Sequence, residues 1–387
     1  MIKLLTVIGA RPQIIKASAL SRAIHAHFAD QITEVLVHTG QHYDENMSAV
    51  FFDELAIPQP QHNLRVGSGS HGQQTASMIA GIEGVLETEK PDYVVIYGDT
   101  NSTLAGAIAA AKLNLPIIHI EAGLRSFNKQ MPEEINRIMA DHVSTYLFAP
   151  TQAAIDNLKK EGFSTTNKPP FSIDSPAVCQ PGDVMYDNSL HFGAVAASRT
   201  DILSRLQLQK DGYVLVTLHR NGNTDDATRL NAIFGALLTI ATDHAVKLVM
   251  PLHPRTAKQM QTLLTPALHE AIQASTNLLL FPPVSFLEMT ALEQHTKLVI
   301  TDSGGVQKEA YFFGKPCLIL RAETEWVEII EQNAAILCDA DPARISDGYA
   351  HFDTQPARAF LPIYGDGNAA RNLLHIVCQN HVAVVSQ

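Results

Sequence analysis

The 387-residue chain is long enough for two domains of ~100 to 200 residues each, and its 46% hydrophobic residues supply a core for both, which excludes disorder for the bulk of it. Only 17% of residues are charged, against about 25% in an average globular chain, so uncharged residues, oligomer contact or ligand must cover much of the surface. The net charge of −11 and the lack of any basic run exclude nucleic acid as a partner, while leaving room for a small anion held by a few local cations.

The most apolar stretch, residues 103–120, is broken by Lys112 and Pro116 and falls short of the ~20 apolar residues of a bilayer helix, so no membrane association is expected. The first twelve residues lack the form of a signal peptide, which places the protein in the cytoplasm. Cys179, Cys317, Cys338 and Cys378 lie far apart with no CxxC, the pattern of reduced structural thiols rather than of a zinc site or a disulfide framework.

In chain order, short β-branched runs alternate with longer amphipathic stretches, the pattern of parallel βαβ units. Residues 4–8 are an expected strand followed by a helix from about Gln13, and residues 33–37 a second strand. Strands at 93–96 and 117–120 flank a helix over 102–112, and residues 146–148 are expected to close the sheet. Between 162 and 184 the composition shifts to Thr, Asn, Lys, Pro and Ser, and Lys168-Pro169-Pro170 cannot continue a helix, so a loop and domain boundary belong there. The rhythm restarts with strands at 213–217, 247–250, 278–281, 297–300 and 316–320 and helices over 227–242 and 307–313. A last helix, about 368–382, is expected to pack back on the first domain. The predicted fold is α/β, two doubly wound parallel-sheet domains facing across a cleft: residues 1–180 with 365–387, and residues 181–364. Such sheets bind ligands at the carboxyl ends of their strands.

One GxGxxG occurs, Gly67-Ser68-Gly69-Ser70-His71-Gly72, but residues 59–66 before it are polar and contain Pro rather than forming an apolar strand. The context of a dinucleotide site is missing, no GxxxxGK[ST] is present, and no cofactor is expected. Gly9-Ala10-Arg11-Pro12-Gln13 joins strand to helix, where backbone amides point outward and Arg11 and Lys16 suit a diphosphate; an ordinary helix start with solvated cations is the plain alternative. Thr301-Asp302-Ser303-Gly304-Gly305 repeats the arrangement in the second half, with glycines that permit close backbone approach and Glu309 in the following helix able to accept both hydroxyls of a ribose.

Three carboxylates fall near strand ends or a helix start: Asp99, Glu121 and Glu133. Asp99 alone has the plain reading of a helix N-cap. Carboxylates crowded in a poorly solvated cleft have raised pKa values and serve as acids or bases near neutral pH. His219 and His253 also end strands, where an imidazole reaches a phosphate or donates a proton. His119 and Glu121 alternate along a strand end, but no further ligand has recognisable spacing, so no metal is expected.

Together with His38-Thr39-Gly40-Gln41-His42, Gly98-Asp99-Thr100, His119-Ile120-Glu121-Ala122-Gly123-Leu124-Arg125, Pro132-Glu133-Glu134-Ile135-Asn136-Arg137 and Tyr364-Gly365-Asp366-Gly367, these motifs resemble the non-hydrolysing UDP-N-acetylglucosamine 2-epimerases nearly end to end. The resemblance implies a GT-B architecture of two Rossmann-like domains, usually in a homodimer, with a UDP-sugar as substrate. It also implies that a base removes the C2 proton while UDP departs from C1, giving a 2-acetamidoglucal that is re-protonated on the opposite face. Asp99, Glu121 and Glu133 would then be the acid/base carboxylates. His219 would stabilise the departing UDP, assisted by Arg11, Lys16 and Arg137, and Ser303, Gly304, Gly305 and Glu309 would hold the diphosphate and ribose. His253 is counted with the substrate-binding residues.

The chain departs from the family pattern in places. His219-Arg220-Asn221-Gly222 lacks the carboxylate usual two residues after the arginine, Gln13 stands where Glu is frequent, Val327 replaces a frequent Pro, and the loop over 168–180 is longer. The Ala10 to Gln13 and Arg125-Ser126-Phe127-Asn128 forms resemble the branch acting on UDP-2,3-diacetamido-2,3-dideoxyglucuronate, a precursor of bacterial surface polysaccharide. A hydrolysing epimerase, a GT-B glycosyltransferase and a UDP-sugar-binding protein impaired by Gly222 are the alternatives.

Overall fold

The computed structural model describes residues 1–41, 57–355 and 359–385; His42 of the motif lies outside the described residues. The chain divides into two compact units, one formed by Met1–Asn188 and Pro362–Gln387, the other by Ser189–Leu361. The boundary falls within the helix Val184–Arg199. Among the described residues no helix is long and apolar enough to cross a membrane.

The first unit holds β1 (Ile2–Ile8), β2 (Ile32–His38), β3 (His62–Asn63), β4 (Tyr93–Tyr97), β5 (Ile117–Ile120), β6 (Tyr146–Phe148) and β7 (Ala177–Cys179). They form one parallel sheet in the order β3-β2-β1-β4-β5-β6-β7. Helices cover both faces of such a sheet, which is why Leu4, Leu5, Val7 and Ile8 run on without polar alternation and are all fully buried. The helix Asn101–Lys112 lies close against β1 and β4 because it presents small residues: a Cβ on Gly106 would come within 3.0 Å of Ile96 and 3.3 Å of Val7. Against expectation, β6 does not close the sheet. Ala177–Cys179, inside the predicted loop, pairs with it as one more short edge strand. Two residues of the polar stretch before the GxGxxG likewise pair with β2 as β3, and Ser70 caps the helix His71–Glu89 that follows.

The second unit holds β8 (Tyr213–Thr217), β9 (Lys247–Pro251), β10 (Leu278–Phe281), β11 (Leu298–Thr301), β12 (Cys317–Ile319) and β13 (Ala335–Leu337), parallel in the order β10-β9-β8-β11-β12-β13. The three-residue β13 was too short to show a period in the sequence. Its core packs β8, β9 and β11 against Leu230, Phe234, Leu237 and Ile240 of the helix Ala227–Asp243. Each sheet reverses its strand order beside its first strand, between β1 and β4 and between β8 and β11. These are the topological switch points at which open α/β sheets bind ligands.

The terminal helix Ala369–Val385 belongs to the first unit. Its first backbone amides, on Ala369 and Ala370, donate to the Asp187 carboxylate at 3.0 and 2.8 Å, which satisfies donors that a helix start otherwise leaves unpaired.

Candidate active site

In the first unit the loops after β1, β4 and β5 meet at the switch point. Gln13 organises the turn after β1: its Oε1 accepts the Gly9 and Ala10 amides at 2.9 and 3.1 Å, and its Nε2 donates to Tyr97 O and Thr103 Oγ1 at 3.1 and 3.0 Å. The two amides expected to face an anion are therefore taken by the protein's own glutamine. The backbone passes tightly here, since a Cβ on Gly9 would stand 2.1 Å from both Ser102 Oγ and Thr39 Oγ1. Arg11 sits exposed at the start of the helix Arg11–His27, and Lys16 lies one turn further on.

Lys16 forms an ion pair with Glu121, and Arg137 pairs with Asp99. Glu121 directly follows β5 and adopts φ of 73°, a left-handed conformation strained for any residue but glycine and persisting only where the surrounding structure fixes it. Its Oε2 lies close to the Gly98 turn, 3.1 Å from where a Cβ of Gly98 would stand, and Lys16 Nζ lies 3.4 Å from the same point. The carboxylates of Asp99 and Glu121 thus end neighbouring strands and share a pair of cations. Burial, helped by Glu121, raises the Asp99 pKa above the ordinary carboxylate range although Arg137 and Lys16 oppose it. Thr100, not Asp99, caps the helix Asn101–Lys112, which removes the plain reading of that aspartate.

A buried layer supports this turn. His119 is fully buried; its Nε2 donates to the Gly98 carbonyl at 2.8 Å and its Nδ1 meets Asp141 Oδ1 at 2.7 Å, so both ring nitrogens are engaged. Asp141 also accepts from the Gly123 amide at 3.1 Å and pairs with Arg125 at 2.8 Å. Burial would raise the Asp141 pKa, yet His119 and Arg125 together hold it below the ordinary range. Asn136 adds a 2.9 Å bond to the Asp99 carbonyl. His119, Asp141 and Asn136 are the site's supports, and nothing in their spacing announced it.

Glu133 occupies the first turn of the helix Pro132–His142 and is exposed. It lies four residues before Arg137, hence on the same helix face. No hydrogen bond or ion pair to another described residue ties its carboxylate to Asp99 or Glu121. The neighbouring Glu134 is the buried one, accepting the Ser126 and Phe127 amides at 2.9 and 3.0 Å and pairing with Arg137 at 3.2 Å.

In the second unit the loops after β8 and β11 form the corresponding site. Thr217 and Thr301 are register partners on these strands and hydrogen-bond through their hydroxyls. Asp302, fully buried, accepts the His219 amide at 3.1 Å, the Arg220 amide at 3.0 Å and Asn223 Nδ2 at 3.2 Å, and its Oδ1 lies 3.6 Å from His219 Nδ1. A carboxylate from the neighbouring strand therefore faces His219. At Gly222 itself an added Cβ would meet nothing within 4 Å. Burial, with the nearby Arg220 and His253, lowers the His219 pKa below its ordinary value, and Asp302 opposes them. The rings of His219 and His253 are 6.4 Å apart, and His253 caps the helix Pro254–Leu263 through a bond from the Arg255 amide.

The helix Gly304–Phe312 begins at the first of the two glycines, earlier than predicted, with Ser303 as its N-cap residue. The Ser303 side chain makes no capping bond. Two arginines converge here: a Cβ on Gly304 would lie 3.8 Å from Arg220 Nη2 and 3.9 Å from Arg321 Nη1. Arg321 is held by Glu325 through two 2.9 Å bonds, and Trp326 Nε1 donates to the Gly304 carbonyl at 2.9 Å. Glu309 Oε2 lies 4.0 Å from the corresponding point on Gly305, so its carboxylate folds toward the helix start. His219, Arg220, Ser303, Gly304, Gly305, Arg321 and Glu309 therefore surround one helix N-terminus, which favours an anionic ligand.

Two Rossmann-like parallel-sheet domains in one chain define a GT-B-like protein, here with two neighbouring carboxylates at one switch point and a helix start beside two arginines at the other. The model of the family described as UDP-N-acetylglucosamine 2-epimerase matches residues 24–378, and the chain belongs to that family. It is 48% identical to the UDP-2,3-diacetamido-2,3-dideoxy-D-glucuronate 2-epimerase of Pseudomonas aeruginosa, covering 96% of this chain and 98% of that one. It is 44% identical to a UDP-N-acetylglucosamine 2-epimerase homolog of Methanococcus maripaludis, covering 97% and 99%. Among solved structures it resembles the UDP-GlcNAc 2-epimerase of Methanocaldococcus jannaschii in complex with UDP-GlcNAc and UDP, with a TM-score of 0.82, 37% identity and coverage of 98% and 100%.

Proposed function

We propose that this chain is an isomerase that inverts C2 of a UDP-2-acetamido sugar without hydrolysing it. The observation that carries this reading is the placement of Asp99 and Glu121 on adjacent strand ends, held by Lys16 and Arg137, with the Asp99 pKa raised by burial. A base among Asp99, Glu121 and Glu133 takes the C2 proton as the C1–O bond breaks and its electron pair leaves with UDP. The neutral 2-acetamidoglucal then accepts a proton at the opposite face of C2 while a UDP β-phosphate oxygen re-forms the bond to C1, so atoms and charge balance with no redox cofactor. His219, His253, Arg11, Lys16 and Arg137 stabilise charge that grows on UDP only as that bond breaks, which is where such contacts accelerate a reaction. Ser303, Gly304 and Gly305 receive the diphosphate beside Arg220 and Arg321, and Glu309 accepts the ribose hydroxyls.

In this reading the first unit, carrying residues 1–180 and 365–387, supplies the acid/base groups, and the second binds UDP. The substrate is UDP-2,3-diacetamido-2,3-dideoxyglucuronate, a choice supported by the 48% identity to the Pseudomonas aeruginosa enzyme of that name. The enzyme works as a homodimer in the cytoplasm and feeds surface polysaccharide synthesis. Incubation with this UDP-sugar and with UDP-N-acetylglucosamine, followed by proton NMR, tests the reading: inversion at C2 with the UDP linkage intact supports it. Free sugar as the product would make it a hydrolysing enzyme. Binding of both compounds without turnover would leave only a binding protein.

A further inference from the structure

Glu293, on the helix Phe286–His295, is 4% exposed, and its carboxyl group is hydrogen-bonded to that of Glu309 on the helix Gly304–Phe312. A carboxylate has lone pairs but no donor, so a hydrogen bond between two carboxyl groups requires that one of them carry a proton. Glu293 is the more deeply buried of the two and so the costlier to ionise, which assigns the proton to it; burial, with the Glu309 charge, pushes its pKa well above the ordinary carboxylate range. Glu309 is less buried, and its Oε2 turns toward Gly305 at the start of its own helix, the positive end of the helix dipole.

We infer that Glu293 is a positioning residue: a neutral carboxylic acid that donates to Glu309 and fixes that carboxylate in the orientation that accepts both hydroxyls of a ribose. The inference deepens the reading of Glu309 given above and rests on it. A carboxylate on a lone side chain rotates, and pairing two hydroxyls to its oxygens requires that rotation to be stopped. Glu293 contributes that restraint through its bond to the Glu309 carboxylate. The buried acid also explains the tolerance of a second acidic side chain beside the first: with the proton shared, the pair carries a single negative charge. Ionising both would place two like charges in contact away from water, so the arrangement persists only while the proton stays bound.

The test compares binding of UDP with binding of 2′-deoxy-UDP by calorimetry for the full chain and three variants. Glu293→Gln keeps the shape and an N–H donor, and is expected to retain the preference for UDP within about twofold. Glu293→Met fills similar volume without a donor and is expected to lower that preference about tenfold, the worth of one hydrogen bond to a charged group. Glu309→Ala should abolish the preference. A structural role alone would lower UDP and 2′-deoxy-UDP affinity together and leave their ratio unchanged, and that result in Glu293→Met overturns the inference. Loss of the ratio in Glu293→Gln overturns it as well, because the donor is still present. If Glu309→Ala binds both nucleotides as the wild type does, the ribose assignment of Glu309 itself falls. Difference infrared spectra of the wild type against Glu293→Gln at neutral pH provide a check independent of ligand and of the methionine variant's folding. A protonated carboxyl band is expected in the wild type alone, and its absence overturns the inference.

Discussion

Removing the Asp302 carboxylate should loosen the turn that carries His219 and Arg220. In Asp302→Ala the two backbone amides and Asn223 Nδ2 lose their common acceptor in a fully buried place. An orphaned buried donor costs roughly 1–3 kcal/mol, so three would cost ~3–9 kcal/mol, and settling of the loop or entry of water favours the lower end, ~3–4 kcal/mol. Asp302→Asn keeps one acceptor oxygen and should cost about half as much. Trp326, the chain's one tryptophan, lies in the same unit and bonds to the Gly304 carbonyl, so its fluorescence reports the unfolding of this unit. For a unit of this size 1 kcal/mol corresponds to ~2–4 °C, and Asp302→Ala should lower the tryptophan-detected midpoint by about 6–16 °C. Because Asp302 raises the pKa of His219, which faces the departing UDP in its protonated form, its loss should also move the alkaline limb of the pH–rate profile of Asp302→Asn to lower pH. An alanine variant within about 2 °C of the wild type would refute the reasoning, since the three bonds would then contribute almost nothing.

Asp99→Asn, Glu121→Gln and Glu133→Gln should each lower kcat by about 10²- to 10⁴-fold while leaving UDP affinity near normal, as measured by coupled epimerase assay and calorimetry; wild-type rates in all three would remove the proposed chemistry. Gln13→Ala should cost ~2–4 kcal/mol in chemical denaturation and speed hydrogen exchange at the Gly9 and Ala10 amides, whereas Gln13→Glu, which can still accept both amides, should lose less. Asp187, raised by burial to about 6, has a folded pKa above its ordinary value of 3.8, so its contribution is complete below about pH 4 and is lost as the pH rises through 6. Asp187→Asn should remove that slope, becoming more stable relative to the wild type by up to ~3 kcal/mol between pH 4 and pH 7 in urea titrations. Parallel profiles would contradict the assignment.

The central strands were legible because β1, β4, β8 and β11 are buried on both faces and so read as nearly continuous apolar runs. The edge strands β3, β7 and β13 have two or three residues each and take their structure from the neighbour they pair with, which no local period reports. Asp99 and Glu121 stood out because each follows such a run at the carboxyl end of its strand. What the order of residues hid was tertiary. The Gln13 side chain closes the turn whose amides had seemed available, and Asp302 reaches His219 only because β8 and β11, 84 residues apart at their paired threonines, lie side by side. The Glu293–Glu309 pair joins the helices that precede and follow β11 in the chain and has no signature at all in spacing.

The most direct test of the account is to run the reaction in D2O and examine C2 of the recovered UDP-sugars by proton NMR. The account predicts deuterium at C2 in product and in returned starting material, with exchange lost in Asp99→Asn and Glu121→Gln. Inversion at C2 with the original hydrogen retained would contradict it.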